Sequence, residues 1–196
     1  MFLALLEDYR RCQDFRIKYE QFGTPVSCTE NDSYFDGDRH YHVANLYRRV
    51  FSNVVEDIVV TLEDDVFPES QSIIKMLNVM HKNKDALGAI GAVYAMPYST
   101  ELICAGFGDS YWERTIRLDE LNREPLIVDY IGGGCTLWNR EFIDADKIKA
   151  DWPSYLGWDA VLCRNLRQQG LKIMLHCETK CKHIPANKWK HENCSR

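Results

Sequence analysis

The run Asp57-Ile58-Val59-Val60-Thr61-Leu62 is apolar without alternation and ends in three consecutive acids, Glu63-Asp64-Asp65. A half-buried strand alternates apolar and polar residues. A short continuous run bounded by charge reads instead as a strand covered on both faces. That requirement fixes the class of fold, because helices or a second sheet must supply the two covering layers. "LGAIGAVY" (87–94) and "LKIMLHC" (171–177) read as strands of the same kind, and "TPVSC" (24–28) as a shorter one. Helical periods separate them. Residues 40–54 place Val43, Leu46, Tyr47 and Val50 on one face. Residues 70–85 repeat Ile73, Ile74, Leu77 and Met80, with Ser70 or Ser72 as N-cap. Residues 158–170 form a helix closed by Gly170. "LIVDYIGGGCTLW" (126–138) reads as strand, glycine turn, strand, and the polar stretch 95–125 as a loop-rich excursion. Strands alternating with helices predict an α/β fold with a mostly parallel sheet flanked by helices.

A chain of 196 residues suits one domain spanning 1–196. No apolar stretch approaches the ~20 residues of a membrane span, so no integral membrane segment is expected. The net charge of -5 argues against a broad polyanion-binding surface, and no nucleic-acid partner is expected. The opening Met1-Phe2-Leu3-Ala4-Leu5-Leu6 runs straight into Glu7-Asp8 without a basic leader, which does not read as a signal peptide. Several of the eight cysteines sit inside apolar patterns, as in "VSC", "LIC" and "VLC". Buried free thiols and a reduced, cytoplasmic setting are therefore expected.

The acids need a reason. In open α/β sheets ligands bind just beyond the carboxyl ends of strands, which is where Glu63, Asp64 and Asp65 fall. Three like charges repel one another unless they share a cation. Hard oxygen ligands suit Mg2+ or Mn2+, which commonly bridge one or two carboxylates and a diphosphate. The plainer alternative is a solvated strand end that caps the next helix.

Four segments now stand in order: "LEDDVFPES", "IVDYIGGGCTLWNRE", "YLGWDAVLCRNLRQQG" and "CKHIP". Over about residues 24 to 190 this set resembles the GT-A fold glycosyltransferases, and within them glycosyltransferase family 2. The resemblance implies a Rossmann-like GT-A sheet. It also implies metal-dependent, inverting transfer of a sugar from a nucleotide-diphosphate donor, with uridine as the expected base, to a carbohydrate or other hydroxyl acceptor. By that resemblance Asp65 is the metal-binding acid, and Asp64 its neighbour reaching the ribose or the metal. Glu63 stands where many members have Asp. Glu30 or Asn31, in "SCTENDS", would read the base. Asp159 is implied as the catalytic base that takes the acceptor hydroxyl's proton, a task a carboxylate performs directly. It opens a helix whose dipole favours its ionised form. His183 is implied as a further ligand of Mn2+ or Mg2+ or as a donor to the diphosphate. Gly132, Gly133 and Gly134 would permit positive φ and close approach to a sugar. Trp158 and Trp138 would stack on it, and Asn45 and Arg49 would approach the donor phosphates. The family's first strand has no counterpart here, so a chain truncated at its start is expected, with room for a further domain after "HENCSR".

Three other readings compete. The chain could be a catalytically degenerate nucleotide-sugar-binding module. It could be a structural zinc protein using His176, Cys177, Cys181, His183, His191 and Cys194. A nucleotidyltransferase also uses acids and a divalent metal, but it needs a glycine-rich basic loop that is not found near the start.

Overall fold

The structure is a computed structural model that describes residues 37–63, 65–96, 99–109, 113–150 and 156–184. The chain divides into two compact units, Met1–Asp32 and Ser33–Arg196, and all the described residues belong to the second. The elements in order are α1 (Gly37–Asn53), β1 (Ile58–Leu62), β2 (Val66–Pro68), α2 (Ser72–Lys82), β3 (Leu87–Val93), β4 (Leu102–Phe107), β5 (Arg114–Arg117), β6 (Leu126–Val128), β7 (Tyr130–Ile131), β8 (Cys135–Asn139), α3 (Trp158–Gln168) and β9 (Lys172–His183). The larger sheet has the order β1-β8-β3-β9-β2, with β6 also paired to β9, and the smaller has the order β5-β4-β7.

The expected mostly parallel GT-A sheet is not what forms. Among the described residues only β3 and β9 run parallel; every other pairing is antiparallel. The reason lies in β8, which runs antiparallel between β1 and β3, and in β2 and β6, which both join β9 antiparallel. Burial on both faces holds for β3, every residue of which is buried, but β1 alternates buried and half-buried residues and so has one better-covered face. A continuous apolar run also carries no information about strand direction. The stretch expected to be a loop, 95–125, holds β4 and β5, which pair with each other. The strand β2 also escaped notice. It ends in Pro68 at the rim of the larger sheet, a position that tolerates a missing N–H.

The helices fall close to their expected places, but the buried stripes shift. On α1 the buried residues are Ala44 and Phe51, with the expected Val43 and Tyr47 packed against the core beside them. On α2 it is Ser72, Ile73, Met76 and Met80. The residue preceding α2 is Gln71, in the left-handed region at φ 68, and it makes no side-chain cap. Helix α3 ends as expected: Gly170 adopts φ +83, its N–H bonds the Arg167 carbonyl, and Leu171 N–H bonds the Leu166 carbonyl. That pair of bonds satisfies two carbonyls the helix would otherwise leave open.

Candidate functional site

The acids sit at a corner. Glu63 N–H donates to the Gly134 carbonyl (2.9 Å), and Val66 N–H closes a turn onto the Glu63 carbonyl (3.2 Å). The chain therefore reverses direction between β1 and β2 with Asp65 on the bend, and the Asp65 carbonyl accepts from Ile184 N–H at 2.8 Å. The last contact brings the end of β9 alongside. His183 Nδ1 donates to the Ala95 carbonyl at 2.6 Å, and its Nε2 lies 3.3 Å from Asp65 Oδ2. Only 6% of the His183 side chain is exposed, against 31% for Asp65, so the ring stands behind the carboxylate and the carboxylate faces solvent. The hydrogen bond to Asp65 raises the imidazole above its ordinary value, against the opposing pull of burial. A base with a raised folded-state value stabilises the fold fully below its unfolded value of about 6.5, and loses that contribution as pH rises through the folded value. In metal-free buffer the melting temperature of the native chain, relative to Asp65→Asn, is thus expected to be highest near pH 6 and to converge with the variant toward pH 9. Parallel thermal scans would check this.

The fit to a divalent cation can be judged from the donors. Two cis ligands ~2.1 Å from an octahedral ion stand about 3 Å apart. The 3.3 Å between His183 Nε2 and Asp65 Oδ2 is close to that spacing. A ligating histidine characteristically donates its other ring N–H to a backbone carbonyl, as His183 does to Ala95. Among the described residues no group of three or more His, Cys, Asp or Glu side chains is gathered to hold a metal. The pair therefore fits an ion that draws its other ligands from phosphate oxygens and water, and does not fit a closed structural site.

The glycine turn forms the neighbouring wall, and none of its three residues has positive φ, contrary to the expectation from sequence. Their smallness serves packing instead. A Cβ on Gly133 would lie 2.3 Å from Trp158 Cζ2, one on Gly132 2.4 Å from the Tyr94 hydroxyl, and one on Gly134 2.9 Å from the same hydroxyl. All six backbone polar groups of the turn are bonded. The N–H of Gly132 donates to the Cys104 carbonyl (2.6 Å), that of Gly133 to Asp159 Oδ2 (2.9 Å), and that of Gly134 to the Tyr94 hydroxyl (2.8 Å). The carbonyls accept from Thr136 Oγ1 (2.7 Å), Thr61 Oγ1 (2.6 Å) and Glu63 N–H (2.9 Å). Thr61 in turn accepts from Trp138 Nε1 at 2.9 Å. Thr61→Val would strand a buried indole N–H and a buried carbonyl, and is expected to cost about 2–4 kcal/mol in chemical denaturation.

Asp159 stands at the first turn of α3. Its Oδ2 holds the Gly133 N–H and its Oδ1 the Ala160 N–H, each at 2.9 Å. The acids share one neighbourhood: Asp159, Glu63 and Asp65, in that order, add to the burial that raises the Cys104 thiol well above its usual value. Asp65, His183, Gly133, Gly134 and Asp159 are thus brought together. Trp158 and Trp138 are not placed for sugar stacking. Trp158 is 4% exposed, with Tyr47 stacked on its face at 3.6 Å, and Trp138 is 0% exposed. Glu30, Asn31 and Asp64 lie outside the described residues. Sequence reasoning missed Tyr94, Thr61 and Ala95. Tyr94 closes the run "LGAIGAVY", and a polar tip at the end of a buried strand was the available signal.

The zinc cluster does not assemble among the described residues. His176 Nδ1 is paired with Thr179 Oγ1, Cys177 Sγ with the Leu175 carbonyl, and His183 with Ala95 and Asp65. His191 and Cys194 lie outside the described residues. Cys104, Cys135, Cys163, Cys177 and Cys181 are all free thiols. No helix among the described residues is long and apolar enough to cross a membrane.

No family model matches the chain, and no curated protein matches it. Among solved structures, the crystal structure of A197 from STIV is similar, at 17% identity and a TM-score of 0.47, over 76% of this chain and 66% of that one. The chain thus spans just under two thirds of that chain, and a likeness at this level assigns no activity.

Proposed function

We propose that this chain binds a nucleotide-diphosphate sugar, with uridine as the expected base, through a divalent cation and transfers the sugar to an acceptor hydroxyl. The observation that carries the reading is the Asp65–His183 pair. Residues 118 positions apart meet at 3.3 Å, with the imidazole oriented by the Ala95 carbonyl. Asp65 and His183 would hold Mn2+ or Mg2+, which when bound supplies Lewis-acid stabilisation of a leaving diphosphate. The corner that presents Asp65, the glycine turn and Asp159 adjoin one another, so donor and acceptor would meet between the metal ligands and Asp159. Calorimetric titration of UDP into the purified chain tests this, first with Mn2+ and then with excess chelator. Binding that requires the metal is expected. Equal binding under chelator would remove the metal from the reading, and no binding by the folded protein would remove the donor.

A second reading, binding without transfer, has its own support: both Asp159 oxygens already hold backbone N–H groups. A carboxylate so engaged has less freedom to take a proton from an acceptor. Asp159→Asn separates the two readings. If Asp159 is the base, the variant keeps UDP affinity within about threefold and loses transfer or donor hydrolysis by about 100-fold or more. Binding by the native chain without any turnover would favour the binding module.

A further inference from the structure

We propose that a cleft beside the middle of β9 is a second ligand site, which takes a small molecule carrying one carboxylate on an apolar body. Strand β9 is 12 residues long and is held in sections. Strand β6 pairs with 173–175 and β2 with 181–183. Against β3 the register jumps from Ala92 opposite His176 to Val93 opposite Lys180. Cys177, Glu178 and Thr179 thus have no strand partner among the described residues and form a bulge, a device that commonly re-aims side chains beside a site. The bulge is braced from within, where Thr179 Oγ1 pairs with His176 Nδ1. A cleft of about 570 Å³ opens against this segment, bounded also by the first turn of α2 and by the turn that follows β5. Its volume suits a small molecule. Neither Asp65 nor His183 lines it, so it is separate from the corner described above.

The lining combines two kinds of surface. Leu118, Leu121 and Cys177 are apolar; Leu118 is 46% exposed, and Leu121 packs against the core. Apolar area left open to water in this way is what an alkyl or aryl group would cover. Lys75, Arg123 and Lys180 bring three positive charges, and Glu69 and Glu178 two negative ones. All five side chains are exposed, and none of them is ion-paired among the described residues. The excess of one positive charge matches a monoanion. A dianionic phosphate would exceed that balance and be repelled by the two acids. Arg123 adds a planar fork suited to a carboxylate. Its neighbour Asn122 spends its amide oxygen on Glu124 N–H at 2.8 Å, which leaves the amide N–H groups as the end it can turn toward an anion. The proposal goes beyond the functional reading above and stands whether or not that reading holds.

The test titrates octanoate into the isotope-labelled full chain and follows the backbone amide resonances. Saturable shifts are expected that cluster at Leu118, Leu121, Cys177, Glu178 and Lys180. Acetate has the head without the body, octanol the body without the head, and octylammonium the opposite charge. Each is expected to bind there about tenfold or more weakly than octanoate. Arg123→Gln combined with Lys180→Gln removes two exposed charges that have no ion pair to lose. That variant should weaken octanoate binding by about tenfold and leave the melting temperature unchanged. The proposal is overturned if octanoate produces no saturable shifts at the cleft, if octylammonium binds there as well as octanoate, or if the double variant binds like the native chain. Tighter binding of octyl phosphate than of octanoate would overturn the choice of a carboxylate. Should the double variant unfold, the comparison of probes on the native chain decides the matter.

Discussion

Asp65→Ala is expected to weaken Mn2+-dependent UDP binding by about 100-fold or more, a loss of about 2.7 kcal/mol, while leaving the fold largely intact. The two halves of that expectation rest on different atoms. The side chain is 31% exposed and its carboxylate is the anionic member of the candidate ligand pair. Its backbone carbonyl, which holds Ile184 N–H and so ties β9 to the corner, survives the substitution. Removing the carboxylate takes away the hard oxygen and half of the pair, and leaves His183 held by Ala95 alone. Titration of UDP with Mn2+ reads the first half and thermal unfolding reads the second. If the variant binds UDP and Mn2+ like the native chain, Asp65 is not a metal ligand. If it unfolds, Asp65→Asn keeps the shape and repeats the question.

Gly133→Ala should be among the most destabilising single-methyl changes in the molecule, for steric reasons. Its Cβ would fall 2.3 Å from Trp158 Cζ2. The indole has little room to yield. Tyr47 stacks on it at 3.6 Å, Trp138 lies at 5.5 Å and Phe51 at 6.4 Å. Overpacking of a closed core typically costs 1–3 kcal/mol, and here about 3 kcal/mol is expected, or a melting temperature lower by about 6–12 °C. Gly170→Ala is the useful contrast. Gly170 has φ +83 with nothing within 4 Å of the added methyl, so its cost of roughly 1 kcal/mol is torsional alone. Chemical denaturation of both variants distinguishes crowding from backbone strain. Equal losses at the two positions would show that Trp158 moves aside easily.

These two residues also show how far the sequence could be read. Asp65, His183, Gly133, Gly134 and Asp159 were all singled out from residue type and order, and the fold brings them to one corner. What the sequence could not carry was direction and facing. The runs 57–62, 87–94 and 171–177 all read as covered on two faces, yet only β3 is buried throughout while β1 alternates, and the antiparallel β8 lies between those two strands. Trp158 was expected to serve a ligand, but an aromatic side chain at the start of an amphipathic helix packs inward as readily as outward. Only the position of Tyr47, more than a hundred residues earlier, decides which. The pair β4 and β5 was hidden because β4 is a short apolar run, LICAGF, set in a polar stretch, and β5 buries only Ile116 among exposed or half-buried polar residues.

The backbone bonds of the glycine turn leave it little freedom to adapt. A loop with open N–H and C=O groups can bend toward whatever enters, because each new bond offsets the cost of moving. Gly132, Gly133 and Gly134 have no such groups left, since a side chain or a neighbouring strand holds every one. Their amides should therefore be among the slowest in the molecule to exchange with deuterated solvent. For the ligand proposed above, the turn would then serve as a rigid gauge that admits a molecule already of the right outline, with adaptation left to the half-buried Asp65 carboxylate.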